Sequence, residues 1–120
     1  MKIAVTASGN NEHEPLDTRF GRAAFFMIFD DAELKWMPIN NSQNLSAAQG
    51  AGIQSAKTVS DAGVNILITG NVGPKAYATL QAAEIRIFLS SAATPAEALD
   101  LYKNGKLNEV KAANVDSHWV

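Results

Sequence analysis

The sequence predicts one α/β domain with helices packed on a mixed five-stranded sheet. Its first three apolar runs follow one another without a helix between them, and the rest of the chain alternates helix with strand. Such alternation predicts parallel strands joined by right-handed crossovers. The chain has 120 residues, of which 47% are hydrophobic and 18% are charged. This length and balance are typical of one globular domain, which we expect to span residues 1–120.

The first half of the chain is predicted to form three strands, at residues 2–7, 23–30 and 33–40. The second is continuously apolar and aromatic, as expected for a central strand covered on both faces. Only a short turn at Asp30-Asp31 separates it from the third, so the two should form an antiparallel hairpin. Pro38 has no amide hydrogen to donate to a β-ladder, which places the third strand at the edge of the sheet.

The second half is predicted to alternate between helix and strand. Thr94 and Glu97 form a capping box around Pro95, which gives the last helix a clear start. Residues 106–120 are expected to form a loose C-terminal tail. The expected elements are a helix from about Gly50 to Gly63, a strand at 65–69, a helix from Pro74 to about Ala82, a strand at 85–89 and a helix from Pro95 to near Asn104.

Composition and charge exclude several classes of protein. The net charge is −2 and no run of Lys or Arg occurs, so we expect no nucleic-acid partner. Cysteine is absent, which excludes disulfides, a thiolate nucleophile and an ordinary thiolate-ligated iron–sulfur cluster. The first apolar stretch, Ile3-Ala4-Val5, is too short for a signal peptide or a membrane span. We therefore expect a cytoplasmic protein with no membrane partner.

The sequence also gives little support to catalysis. It contains no HExxH, Walker, GxGxxG or GxSxG motif. Asp30 and Asp31 fall at a hairpin turn and Asp61 falls near a helix end, so these carboxylates are poorly placed to converge on two metal ions. We expect no enzymatic activity.

Glycine-rich junctions at the ends of predicted parallel strands indicate an anion-binding site. Ligands of open α/β sheets gather at this edge, where glycines let backbone amides approach and helix starts carry partial positive charge. Glycines also end strands in α/β proteins without any ligand, and this structural interpretation stays open. The segments concerned are Ser8-Gly9-Asn10, Gly50-Ala51-Gly52, Gly70-Asn71-Val72-Gly73-Pro74 and Ser90-Ser91.

A second candidate lies at the end of the long polar loop after the first strand. Arg19-Phe20-Gly21-Arg22 places two arginines around an aromatic residue and a glycine, and arginines clamp carboxylates or phosphates bidentately. Alternatively, Asp17 pairs with an arginine to pin the loop while Phe20 fills the core. Both interpretations can hold together.

A third candidate is a metal ligand within the same long loop. Glu12-His13-Glu14 offers one imidazole and two carboxylates, of which we single out His13. The alternative is an ordinary solvated loop.

Five short motifs occur in order along the chain: Arg19-Phe20-Gly21-Arg22-Ala23, Gly50-Ala51-Gly52, Gly70-Asn71-Val72-Gly73-Pro74-Lys75-Ala76, Gly105-Lys106-Leu107 and His118-Trp119. Together they resemble the dinitrogenase iron–molybdenum cofactor biosynthesis family. The resemblance covers nearly the whole chain. One departure is Ala24, which stands where the family often has a proline before the aromatic strand.

The resemblance implies a ribonuclease-H-like motif with strand order 3-2-1-4-5 and strand two antiparallel to the rest. It also implies a non-enzymatic role in binding, storing or handing over an iron–sulfur-based cofactor precursor, with other cofactor-assembly proteins as partners. Because the chain has no cysteine, such a cluster must arrive preassembled. Backbone amides, arginines and one histidine would then hold it.

Two other functions stay open at this stage. The same edge would suit a binding module for a small anionic metabolite or nucleotide. Alternatively, the ligand site is vestigial and the edge strand recruits a protein partner.

Overall fold

A computed structural model describes residues 1–44 and 50–115 of the chain. Loop residues 45–49 and the motif residues His118 and Trp119 lie outside the described residues. The described part forms the strands β1 (Lys2–Ala7), β2 (Phe25–Asp30), β3 (Lys35–Asn40), β4 (Ile66–Thr69), β5 (Arg86–Leu89) and β6 (Asn108–Glu109). Its α-helices are α1 (Ala51–Asp61), α2 (Pro74–Ala82) and α3 (Pro95–Lys103), and a 3-10 turn covers Ser42–Asn44.

The strands form one mixed sheet in the order β3-β2-β1-β4-β5-β6. Strand β1 pairs antiparallel with β2 and parallel with β4, and β4 pairs parallel with β5. The predicted α/β class, the three helices, the order of the first five strands and the antiparallel direction of the second strand are confirmed.

The prediction of five strands is wrong, because β6 lies in the segment expected to be a loose tail. It pairs antiparallel with β5. The Val110 amide then donates to the Ile87 carbonyl at 2.8 Å. Arg86 donates two hydrogen bonds, of 2.7 and 3.2 Å, to the Glu109 carboxylate. Strand β6 has only two residues, and backbone bonds and an ion pair hold it in place. Such a short strand has no alternating apolar pattern in the sequence, so it was not predicted.

The edge position of Pro38 is confirmed, and the register shows how the strand tolerates it. Pro38 lies opposite Met27 in the β2–β3 pair. The Asn41 amide donates to the Ala24 carbonyl at 2.8 Å, so alternate residues of β3 turn their amides away from β2. Pro38 occupies one of these outward positions, and its missing amide hydrogen costs the ladder no bond.

The hydrophobic core has two layers, one on each face of the sheet. Helices α1 and α2 cover the first face with Ala56, Val59, Ala76 and Leu80. Helix α3 covers the second face with Ala98 and Leu99. Each face therefore has its own set of helix starts at the carboxyl ends of the parallel strands.

Candidate functional site

The parallel strands β1, β4 and β5 end at one edge of the sheet, which we call the carboxyl edge. The connections that follow them hold three of the predicted glycine and serine segments, and the fourth, Gly50-Ala51-Gly52, follows β3. All three α-helices begin at this edge, because α2 and α3 follow β4 and β5, and α1 follows β3, which runs in the same direction as β1. The topology thus brings the predicted segments to the same side of the molecule.

The helix starts at the carboxyl edge differ in how they are capped. At α3 the Thr94 hydroxyl accepts a hydrogen bond from the Glu97 amide at 3.2 Å. The N-cap residues of α1 and α2 are Gly50 and Gly73, and no side chain of the described residues caps either helix. Amide donors in the first turn of a helix need partners from outside it. The Thr94 cap already occupies a first-turn amide of α3. The first-turn amides of α1 and α2, which share one face of the sheet, have no such side-chain partner among the described residues.

Residues 17–22, which we call the arginine loop, lie between these two helix starts. A Cβ atom added at Gly21 would come 2.8 Å from the Gly52 nitrogen, in the first turn of α1. A Cβ atom added at Gly70 would come 2.8 Å from the Thr18 Cα, beside the segment that leads into α2. The predicted glycines therefore let three backbone segments approach one another closely.

Arg19 and Asn71 join the arginine loop to the segment before α2. The two residues form a parallel β-bridge, and the Asn71 side chain donates to the Thr18 carbonyl at 3.1 Å. Arg19 Nε also lies 3.5 Å from Asp17 Oδ1, while 48% of the Arg19 side chain stays exposed. The guanidinium thus helps to pin the loop and still reaches solvent.

Two further members of the arginine loop are less exposed than Arg19. Phe20 is 1% exposed, and its ring centroid lies 5.5 Å from that of Phe26. Its ring therefore anchors the loop in the core of the α1–α2 face. Arg22 is half-buried at the end of the loop.

A buried polar network supports the arginine loop from below, and it was not predicted from the sequence. Ser55 Oγ donates to the Gly21 carbonyl at 2.9 Å. Asn41 Nδ2 donates to the Ala23 carbonyl at 2.9 Å and lies 3.1 Å from Ser55 Oγ. Both side chains are fully buried. Burial of polar groups with complete hydrogen bonding fixes geometry, so the network sets the position of the loop backbone.

A second buried contact holds the start of the loop. Thr6 Oγ1 donates to the Asp17 carbonyl at 2.6 Å and lies 3.0 Å from Thr69 Oγ1. Thr6 and Thr69 are fully buried at the ends of β1 and β4. Threonine within an otherwise apolar strand is the one sequence signal that indicates such an anchoring role.

The segment after β1 is bound to the α3 side of the molecule instead. The Ser8 amide and hydroxyl both donate to the Pro15 carbonyl, at 2.9 and 3.0 Å. The Ala96 amide, in the first turn of α3, donates to the Glu12 carbonyl at 3.0 Å. The loop itself therefore occupies the donors at this helix start.

Gly9, Asn10 and His13 belong to this α3 side. A side chain on Gly9 would collide with Glu14, whose chain lies over it. Asn10 and His13 are exposed. Among residues 1–44 and 50–115, no group of three or more His, Asp or Glu side chains is placed to hold a metal ion. The predicted site residues thus divide into a cluster around the arginine loop and a separate loop on the α3 side.

Two pockets lie at the opposite edge of the sheet. One has a volume of about 360 Å³ and is lined by Tyr77, Gln81, Arg86 and neighbours, and the other has about 260 Å³ between Lys2 and Met37. Neither includes a predicted site residue. A ligand of the carboxyl edge would therefore be recognised by converging donors rather than by either of these cavities. No helix of the described residues is long and apolar enough to cross a membrane.

Comparison with known proteins identifies a family and several relatives. The family model of the dinitrogenase iron–molybdenum cofactor matches residues 1–105. The apo form of the orange protein from Desulfovibrio gigas is 35% identical, with a TM-score of 0.91 over 95% of this chain and 96% of that one. A Thermotoga protein provisionally named as a NifB protein is 28% identical, with a TM-score of 0.84 over 95% and 97%.

A relative without an assigned role is found as well. An uncharacterised protein of Methanocaldococcus jannaschii is 32% identical over 111 residues, which is 91% of each chain. The resemblance drawn from the sequence motifs is confirmed by the family match.

Proposed function

Because this chain belongs to the dinitrogenase iron–molybdenum cofactor family, we propose that it binds a preassembled, anionic iron–sulfur-based cofactor precursor and carries it unchanged. The family and the similar structures support a cofactor-related accessory role. The proposed site is the part of the carboxyl edge formed by the arginine loop and the starts of α1 and α2. A carrier of this kind would work in the cytoplasm and pass its cargo to other cofactor-assembly proteins.

The observation that carries the proposal is the position of the arginine loop between two helix starts that no described side chain caps. Gly50 and Gly73 begin these helices, and backbone donors at a helix start favour anions. Arg19 adds a half-exposed guanidinium and Arg22 a second cation nearby. Fixed donors together with arginines suit a ligand of high negative charge.

The residues present fit a cargo that keeps its own ligands. The chain contains no cysteine, so it offers no thiolate to an iron–sulfur cluster. Hydrogen bonds and charge would hold the cluster with no more than one new metal bond, which allows release to a recipient. His13, exposed on the neighbouring loop of the same edge, is our candidate for one additional metal ligand. The similar structure from D. gigas is that of an apo form.

Anaerobic titration with isolated iron–molybdenum cofactor precursor tests the proposal. Iron should co-elute with the protein on gel filtration, and visible absorption should saturate at a fixed ratio of cluster to chain. The outcome against the proposal is iron that elutes only in the small-molecule volume at every ratio.

The second candidate is a small anionic metabolite or nucleotide at the same site. The starts of α1 and α2, which no side chain among the described residues caps, favour it, because such starts bind phosphate in many proteins. Inorganic phosphate and a nucleoside monophosphate are therefore run beside the cofactor precursor. Tighter binding of the nucleotide would favour this second function.

A further inference from the structure

Residues 110–115, which we call the strap, run from β6 to the carboxyl edge. The strap begins where the Val110 amide donates to the Ile87 carbonyl at 2.8 Å. It reaches the segment before α2 at Asn114. This path connects the end of the described chain to the proposed binding site.

Asn114 makes three hydrogen bonds to that segment. Its side-chain oxygen accepts from the Val72 amide at 2.7 Å, and its own amide donates to the Val72 carbonyl at 3.2 Å. Its side-chain nitrogen donates to Asn71 Oδ1 at 3.0 Å. The Val72 side chain is 1% exposed, so the core fixes the position of this amide.

The bond to Asn71 extends the contact to the arginine loop. Asn71 Oδ1 accepts from the Asn114 side chain. This orients the Asn71 side chain so that its Nδ2 donates to the Thr18 carbonyl at 3.1 Å. Asn71 is also the bridge partner of Arg19. Asn114 therefore touches the same backbone segment that the proposed ligand would approach.

We propose that the strap is an internal competitor for the site, in which the Asn114 side-chain oxygen occupies the Val72 amide until an anion displaces it. This inference rests on the proposed function. The Asn114 side chain is exposed, so water can replace its bonds when it leaves. Its oxygen is neutral, whereas an anionic acceptor forms a charge-assisted bond of about twice the strength. When the cargo binds, its anionic acceptor thus replaces the Asn114 oxygen at the Val72 amide, and the same exchange releases the strap.

Two substitutions at residue 114 separate competition from simple support. Asn114→Ala removes the competing oxygen, and Asn114→Asp replaces it with a charged acceptor that also repels the cargo. The probes are inorganic molybdate and the isolated cofactor precursor, titrated anaerobically. Competition predicts that Asn114→Ala binds about three- to tenfold more tightly than the unaltered protein and that Asn114→Asp binds more weakly. Asn104→Ala, at an exposed asparagine after α3, is the matched control and should change nothing.

The outcomes distinguish this inference from the function on which it rests. If both substitutions at residue 114 weaken binding, or if Asn114→Ala leaves it unchanged, the strap only supports the loop and the inference is overturned alone. If no protein binds either probe, the proposed function is overturned and the inference with it. Amide exchange at Val72 gives a second readout. Without cargo it should be faster in Asn114→Ala than in the unaltered protein, because the variant lacks the acceptor of that amide, and bound cargo should slow it again.

Discussion

Gly21 lies against Gly52 so closely that a Cβ atom on Gly21 would come 2.8 Å from the Gly52 nitrogen and 2.9 Å from its Cα. The Gly21 carbonyl is also bonded to Ser55, one turn further along the same helix. The arginine loop and the start of α1 therefore form one rigid unit. Their relative position determines whether the arginines and the helix amides can reach one ligand together.

Gly21→Ala should push the arginine loop away from the start of α1. The new methyl group meets backbone that cannot rotate away, and overpacking of this kind costs about 1–3 kcal/mol. Urea unfolding should show the loss, and molybdate affinity should fall with it. Gly105→Ala is the matched control, because nothing lies within 4 Å of its Cβ, only its φ of 69° is unfavourable, and it follows α3 outside the proposed site. If the control variant lowered the affinity as much as Gly21→Ala does, the close contact between Gly21 and Gly52 would not be the cause of the loss.

Replacing both arginines of the loop should abolish most of the binding. Each charge-assisted hydrogen bond contributes about 1.5–3 kcal/mol, so Arg19→Ala with Arg22→Ala should weaken binding on the order of a hundredfold or more. The dependence of affinity on salt should become shallower. Lys35→Ala with Lys57→Ala removes the same formal charge elsewhere on the surface and serves as the control. A folded double variant with unchanged affinity and salt dependence would place the site elsewhere.

Substitution of His13 tests whether the protein also binds a metal of the cargo. We expect His13→Ala to weaken retention of the cofactor precursor and to leave molybdate affinity unchanged. The cluster offers iron to an imidazole, whereas the molybdenum of molybdate is already surrounded by four oxygens. Anaerobic gel filtration with iron analysis measures the first, and calorimetry measures the second. Equal retention of iron by His13→Ala and the unaltered protein would limit recognition to hydrogen bonds and charge.

The ion pair of β6 should make stability sensitive to acid. The hydrogen bond from Arg86 is the main reason why the pKa of Glu109 lies below its ordinary value of 4.5. A carboxyl with a lowered pKa stabilises the fold above its ordinary pKa, and this contribution is lost as the pH falls through the lowered value. The free energy of unfolding should therefore decline less below pH 4.5 in Glu109→Gln than in the unaltered protein.

Arg86→Gln is the partner test, since it removes the main cause of the lowered pKa and leaves the carboxyl in place. It should flatten the same part of the pH profile. Parallel profiles for Arg86→Gln and the unaltered protein would show that the pair does not contribute to acid sensitivity.

The regular elements were predictable because each carries a local signal. Strand β2 is a run of apolar residues, α3 has the Thr94 cap, and Pro38 marks the edge strand. Strand β6 has no such signal, because its two residues are placed by pairing with β5 and by a bond to Arg86. Partners distant in the sequence cannot be read from a local pattern.

The candidate site was predictable only in part, for a similar reason. Glycines and arginines can be recognised as candidate site residues from their residue type alone, and the fold brings Arg19, Gly21 and Gly52 together. Asn41 and Ser55 look like ordinary surface residues in the sequence, yet they are fully buried beneath the arginine loop. Their role depends on a contact 14 residues apart along the chain.

The outward position of Pro38 limits how the protein meets other chains. One border of the sheet lacks the central donor that an added strand would need, and the other border, β6, is only two residues long. Both are poor templates for edge-to-edge growth. A recipient would therefore have to dock through side chains and loops rather than by strand addition. The same property would protect concentrated protein from polymerising along its sheet.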